Sequence, residues 1–247
     1  ASVNVANDKI GFSDIINGEN IEDLLFKGND PVNMRIDAEV YGPGFAMRWN
    51  KWAFGFSTKA AAKLNFIDID PKLADAINSN NIVGSSTVSN NYNQRLNGTS
   101  WGEVGFSVSR NIFENEKHKF NAGATLKLLF PGSYTNLGVD KFAGTINKIG
   151  AESYLNDSQA NINIAYSGNF NDGFTDFNNY SESVFGKLNG VAADFGVNYQ
   201  WKDKDSYKLN AGLAVRNIGG MTFEDDANSS TDYALNIQST LANPNGL

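Results

Sequence analysis

The sequence predicts an all-β protein: an antiparallel transmembrane β-barrel with long polar loops and short turns. Three observations predict it. Apolar and polar residues alternate over segments longer than the usual strand of about five or six residues. The polar member of each pair is often Gly, Ala or Ser, as a crowded interior needs, while the apolar member is almost never charged. Aromatic residues flank each short polar turn, the arrangement expected where a barrel meets the two membrane interfaces. A soluble β-sandwich binding module also alternates, so periodicity alone leaves that fold open.

Composition sets the frame. The chain has 247 residues with 24 Gly, 17 Phe, 9 Tyr, 4 Trp and only 5 Pro, which describes strands joined by polar connections. No run approaches the roughly 18 apolar residues of a spanning helix, which closes the helical route into a membrane and leaves the barrel route open. A net charge of -7 argues against a nucleic-acid partner. With no Cys there is no disulfide, thiolate zinc site or thiol nucleophile. No repeat, linker or charge run divides residues 1–247, so a single domain is expected.

Along the chain, Met34, Ile36, Ala38 and Val40 oppose Arg35, Asp37 and Glu39. Gly42, Pro43 and Gly44 interrupt this strand, and the apolar parity shifts to Phe45, Met47 and Trp49 afterwards, as a bulge or kink requires. Trp52, Phe54, Phe56, Ala60, Ala62, Leu64 and Phe66 then oppose Ala53, Gly55, Ser57, Lys59, Lys63 and Asn65. Val104, Phe106 and Val108 oppose Glu103, Gly105, Ser107 and Ser109. After a turn, Phe120, Ala122, Ala124, Leu126 and Leu128 oppose Asn121, Gly123, Thr125 and Lys127. Ile162, Ile164 and Tyr166 form a shorter case. Val191 through Trp201 alternate with Ala192, Asp194, Gly196, Asn198 and Gln200, and Tyr207, Leu209, Ala211, Leu213 and Val215 with Lys208, Asn210, Gly212, Ala214 and Arg216.

Trp49 and Trp52 bracket one turn, Phe113 and Phe120 a second, Trp201 and Tyr207 a third; these six residues are the predicted aromatic girdle. Residues 67–97, 131–158 and 167–186 are expected to be long loops at the opposite rim. Counting crossings exposes a conflict. If 98–112 and 187–201 both run toward the short turns, the strands seen between them leave one crossing missing between 167 and 186. Either Phe174 to Phe185 hides an irregular strand, or one assigned piece stands above the membrane. Residues 1–6 read like the end of a strand and 232–241 like the start of another, so the chain is expected to be part of a larger barrel.

The run Ser100-Trp101-Gly102-Glu103-Val104-Gly105-Phe106-Ser107-Val108-Ser109-Arg110, followed by Lys119-Phe120-Asn121-Ala122-Gly123-Ala124-Thr125-Leu126-Lys127, resembles a family of Bacteroidota outer-membrane β-barrels of unassigned function. Gly190 to Tyr199 and Tyr207 to Leu213 are similar to its later hairpin. The resemblance implies a bacterial outer-membrane location, sometimes with a peptidoglycan-binding domain after the barrel.

Candidate chemistry is sparse. His118, the one histidine, falls in a charged turn and reads as a solvated residue rather than a base, because no oriented partner accompanies it in sequence. Glu22, Asp23, Asp68, Asp70, Glu224, Asp225, Asp226 and Asp232 cluster in loops, where calcium binding is conceivable but solvated charge is favoured. Asn20 to Phe26 and Pro71 to Ile77 read as short helices in long loops, the second capped by Asp70; they serve as a lid, plug or partner-docking element or, the favoured reading, simply pack a loop. Arg35, Asp37, Glu39, Arg48, Lys63, Lys127, Asp194, Lys208 and Arg216 are expected to line the lumen, either along a water-filled path or paired across a filled interior.

No catalytic, cofactor or metal site is predicted, and the chain is not expected to be an enzyme. The reading is a membrane scaffold or subunit of a surface, secretion or assembly complex, with outer-membrane lipid and other outer-membrane or periplasmic proteins as partners. A porin-like channel for small solutes is the alternative, and a soluble binding sandwich is the second.

Overall fold

The computed structural model describes residues 1–7, 29–73, 83–149, 152–167, 186–203, 206–223 and 228–238. They form eleven strands: β1 (Ser2–Asn7), β2 (Val32–Tyr41), β3 (Phe45–Trp49), β4 (Trp52–Ile69), β5 (Val83–Ser89), β6 (Asn93–Glu114), β7 (His118–Ile149), β8 (Glu152–Tyr166), β9 (Gly190–Asp203), β10 (Ser206–Met221) and β11 (Ser229–Ile237). All belong to one sheet, and every pairing is antiparallel. No helix among the described residues is long and apolar enough to cross a membrane. The fold is all-β and antiparallel as expected. The sheet is open, because its outer strands β1 on one side and β10 and β11 on the other do not pair with each other.

The eleven strands occupy seven tracks. β2 and β3 lie end to end along one edge of β4, separated at Gly42-Pro43-Gly44, where the sequence pattern placed a kink. β5 and β6 lie end to end along one edge of β7, and β8 and β9 along its other edge. β10 and β11 complete the last track against β9 and β8. The missing crossing is thereby explained. β8 and β9 both run toward the short turns because they are two parts of one crossing, with residues 167–189 inserted between them. Phe174 to Phe185 lie outside the described residues.

The expected loops need correction. Much of 67–97 and 131–158 is strand, and β7 alone runs 32 residues. Bulges hid these extensions. The pairing register shifts where Thr99 and Trp101 face Tyr134 and Pro131, and again around Lys141 and Asp157, which take φ of 54° and 46°. Each extra residue flips the side-chain parity, so a search for unbroken alternation stops at every bulge.

Directly paired residues share a face, so the register sorts the side chains. Phe45, Phe56 and Phe106 pair in a row, continuing to Leu126 and Ala193, while Gly55, Ser107, Thr125 and Asp194 form the row on the other face. Across these strands the expected alternation is observed, with an inverted burial pattern; on β10 it breaks at the register shift between Tyr207, opposite Lys202, and Leu209, opposite Trp201. Phe106, Leu126, Phe195 and Leu213 are 47, 50, 53 and 72% exposed, whereas Glu103 and Lys127 on the polar face are 9 and 7% exposed. Small residues permit this enclosure: a Cβ at Gly123 would lie 2.9 Å from Ser109 Cβ and 3.1 Å from the Val108 carbonyl oxygen.

Away from the short turns part of the apolar face is covered by the chain itself, although Leu137, Ile164 and Tyr233 on that face stay exposed. Asp70 accepts the backbone N–H of Lys72 at 2.8 Å and starts a helical turn at Pro71, as the capping pattern predicted. Leu73 from this turn packs with Val139, Ile162 and Leu235 against buried Val88, Phe142 and Ala160. The rest of the expected helix, and all of Asn20 to Phe26, lie outside the described residues.

Candidate functional site

The polar face carries a chain of alternating charges that crosses the sheet from β2 to β10. Tyr41 donates its hydroxyl to Glu39 at 2.7 Å. Lys59 bridges Glu39 at 3.2 Å and Glu103 at 3.3 Å. Lys127 reaches Glu103 at 3.8 Å and Asp194 at 2.6 Å, and donates to Asn217 Oδ1 at 2.8 Å. Asp194 in turn accepts the Asn217 N–H at 2.7 Å, on the β10 bulge where Asn217 takes φ 59°.

The strand registers explain the chain. Lys59 and Glu103 are directly opposed, whereas Lys127 and Asp194 are diagonal neighbours, since Lys127 faces Ala192 and Asp194 faces Thr125. Signs alternate along it, so each ammonium lies near two carboxylates. In an enclosed polar layer this arrangement offsets desolvation that an isolated charge could not tolerate.

Of the expected lumen residues, Glu39, Lys127 and Asp194 join this chain. Arg35 and Asp37 pair with each other, and the Lys63 ammonium lies 5.4 Å from the centre of the Trp101 ring. Arg216 lies on β10 within electrostatic reach of Asp194. Arg48 and Lys208 sit by the turns: Arg48 donates to the Asn50 carbonyl at 3.2 Å, and Lys208 pairs with Asp203 at 3.3 Å while lying over Trp201. Lys59 and Glu103, two of the most connected members, are absent from the expected set. Alternation had already placed both on the polar face, but their partners are about 20 to 44 positions away in sequence.

The predicted girdle lies at the short-turn end. Trp49 pairs with Trp52, and Phe113 with Phe120. The Arg110 guanidinium stands 4.9 Å from the Trp52 ring centre. His118 needs correction: it opens β7 opposite Trp201, bonds Tyr199 through Nδ1 at 2.7 Å, and stacks on both rings. Tertiary pairing supplies the partners that its neighbours in sequence lack.

The short turns step regularly across the sheet. Trp52, beside the first turn, lies level with Arg110 and Ala122. The next turn closes at the Glu114 and Lys119 pair, three residues further along β7. Lys119 lies level with Gln200, and the third turn closes at Asp203 and Ser206, three residues further again. With ~4.8 Å between strands and ~3.3 Å per residue, the line of turns slopes at roughly 45°.

Among the described residues no group of three or more His, Asp or Glu is placed to hold a metal ion. Asp70 spends its carboxylate on the helical cap and on the Asn90 amide. Glu22, Asp23, Glu224, Asp225 and Asp226 lie outside the described residues. A model described as a family of unknown function, DUF5723, matches residues 1–243. No curated protein and no solved structure matches the chain.

Proposed function

The chain belongs to the DUF5723 family of unknown function, and we propose that it is a bacterial outer-membrane β-barrel protein, of the Bacteroidota kind its hairpins resemble, acting as a non-enzymatic scaffold or subunit of a membrane complex. One observation carries this reading: the uncovered apolar band beside the short turns. On β6 the band runs from Val104 to Ile112, on β7 from Phe120 to Phe130, and on β9 from Val191 to Trp201. Each span is about ten residues, the length a tilted transmembrane strand needs. The slope of roughly 45° in the line of turns brings them level if the strands tilt by that angle, as barrel strands do. Beyond the band, part of the same face is packed by Leu73 and its neighbours around Val88, Phe142 and Ala160, whereas no such cluster covers the band among the described residues.

The charge chain favours a scaffold over a conduit for solutes. A water-filled path needs polar groups that solvent can reach, and here Glu103 and Lys127 are almost fully covered by neighbouring side chains. Among the described residues the seven tracks form an open sheet, which suits a barrel completed by further strands.

Two measurements test the reading. Added to phosphatidylcholine vesicles during refolding, the protein should resist alkaline carbonate extraction, with the band strands shielded from protease; a monodisperse protein that stays soluble without detergent would overturn the membrane assignment. Affinity purification from native membranes in mild detergent should bring down further subunits. A lone species that conducts ions in planar bilayers would replace the scaffold with a channel.

A further inference from the structure

We propose that the polar face of β7, β8 and β11, beyond the membrane band, is a binding groove for a neutral oligosaccharide. At its lower end Tyr134 and Phe223 set their rings 5.9 Å apart at 43°, beside a hollow of about 420 Å³. Next along the strands, Asn136 donates to Asn163 and Asn163 donates to Asp232, each at 2.8 Å. These bonds hold the amide planes in fixed orientations across three strands. Above them a second hollow, of about 580 Å³, lies over Gly138. A Cβ on Gly138 would meet Asn163 Cβ at 3.6 Å, so the absent side chain deepens the floor.

The rim of the second hollow carries groups left for a ligand. Asp140 and Asn161 are directly paired across β7 and β8, and neither side chain has a hydrogen-bond partner among the described residues. Arg95 donates to Asn93 at 3.2 Å and makes no ion pair among the described residues.

The chemistry selects the ligand class. Amides, carboxylates and a guanidinium alternate donors with acceptors at neighbouring positions, which suits vicinal hydroxyl groups that both donate and accept. An aromatic pair at one end offers an apolar surface to the C–H face of a sugar ring. A phosphate or sulfate would meet two carboxylates against one guanidinium, and an apolar peptide would find no enclosed apolar pocket. The distance from Tyr134 to Asp140 spans six residues of strand, roughly 20 Å, room for several linked sugar units.

The test uses the whole chain in detergent micelles, titrated with maltohexaose, cellohexaose and the hexamer of N-acetylglucosamine, and read by calorimetry and saturation-transfer NMR. At least one should bind saturably, with magnetisation transferred to its ring protons. Asp140→Ala and Asn161→Ala, whose side chains support no internal bond, should each weaken that binding at least tenfold while leaving the melting temperature unchanged. No saturable binding of the three at millimolar concentration would overturn the proposal, as would binding that both variants leave intact. The membrane assignment is read separately, by vesicle insertion, and would survive that failure.

Discussion

Lys127 and Asp194 meet at 2.6 Å across the boundary between β7 and β9, although the register sets Lys127 opposite Ala192. The contact is diagonal, and it lets one ammonium serve Glu103 on one neighbouring strand and Asp194 on the other. The polar layer therefore depends on a side chain that touches three tracks at once.

Replacing Lys127 by Met keeps the volume and leaves two carboxylates without their shared cation. Breaking an enclosed ion pair from one side typically costs about 3–5 kcal/mol. The lower end is expected here, about 3 kcal/mol, because Asp194 keeps some contact with solvent. Urea unfolding in micelles measures it. In a double-mutant cycle with Asp194→Asn, a coupling below roughly 0.5 kcal/mol would mean that the chain contributes nothing as a unit.

On the opposite face, Phe195→Lys should hinder insertion while leaving the polar layer intact. A lysine at the midplane of a barrel's lipid face costs roughly 2–4 kcal/mol. The fraction refolded into vesicles at intermediate urea should fall accordingly. Unchanged insertion would show that Phe195 does not face hydrocarbon.

Gly123→Val should disrupt the sheet more than Gly220→Val. A branched side chain at Gly123 would drive into Ser109 and the Val108 carbonyl, whereas a Cβ at Gly220 meets nothing within 4 Å. Overpacking of this kind costs about 1–3 kcal/mol. Heat-modified mobility on gels, the usual readout of folded barrels, separates the two variants.

Acid should loosen the second short turn. Hydrogen bonding from Lys202, with the charge of Lys119 and the Asn111 amide assisting, holds the Glu114 carboxyl below its ordinary 4.5. The group's folded value lies under its unfolded one, so its contribution is complete above about pH 4.5 and disappears as pH falls through the lowered folded value. The melting temperature of the parent should therefore drop more than that of Glu114→Gln between pH 5 and pH 3. Equal acid sensitivity would remove the turn from the account.

Phe142→Ala should test the covered part of the apolar face. Deleting a buried Phe costs about 3–5 kcal/mol, and Phe142 is 5% exposed beside Val88 and Ala160. Hydrogen exchange should rise in β5 and β8 while the band strands β9 and β10 stay protected. Uniform loosening would show that both ends of the sheet unfold together.

The sequence by itself determined the antiparallel β class, the two faces of the strands beside the short turns, the positions of those turns and the kink at Gly42 to Gly44, because period-2 alternation and turn chemistry are local. Only the tertiary structure decided that β8 and β9 share one crossing, that polar stretches such as 131–149 are strand, and that Lys59, Glu103 and Lys127 join into one chain of charges. Bulges between Pro131 and Tyr134 and around Lys141 and Asp157 reset the alternation, and ion pairs between distant strands depend on register. Neither leaves a mark that one strand's own residues reveal.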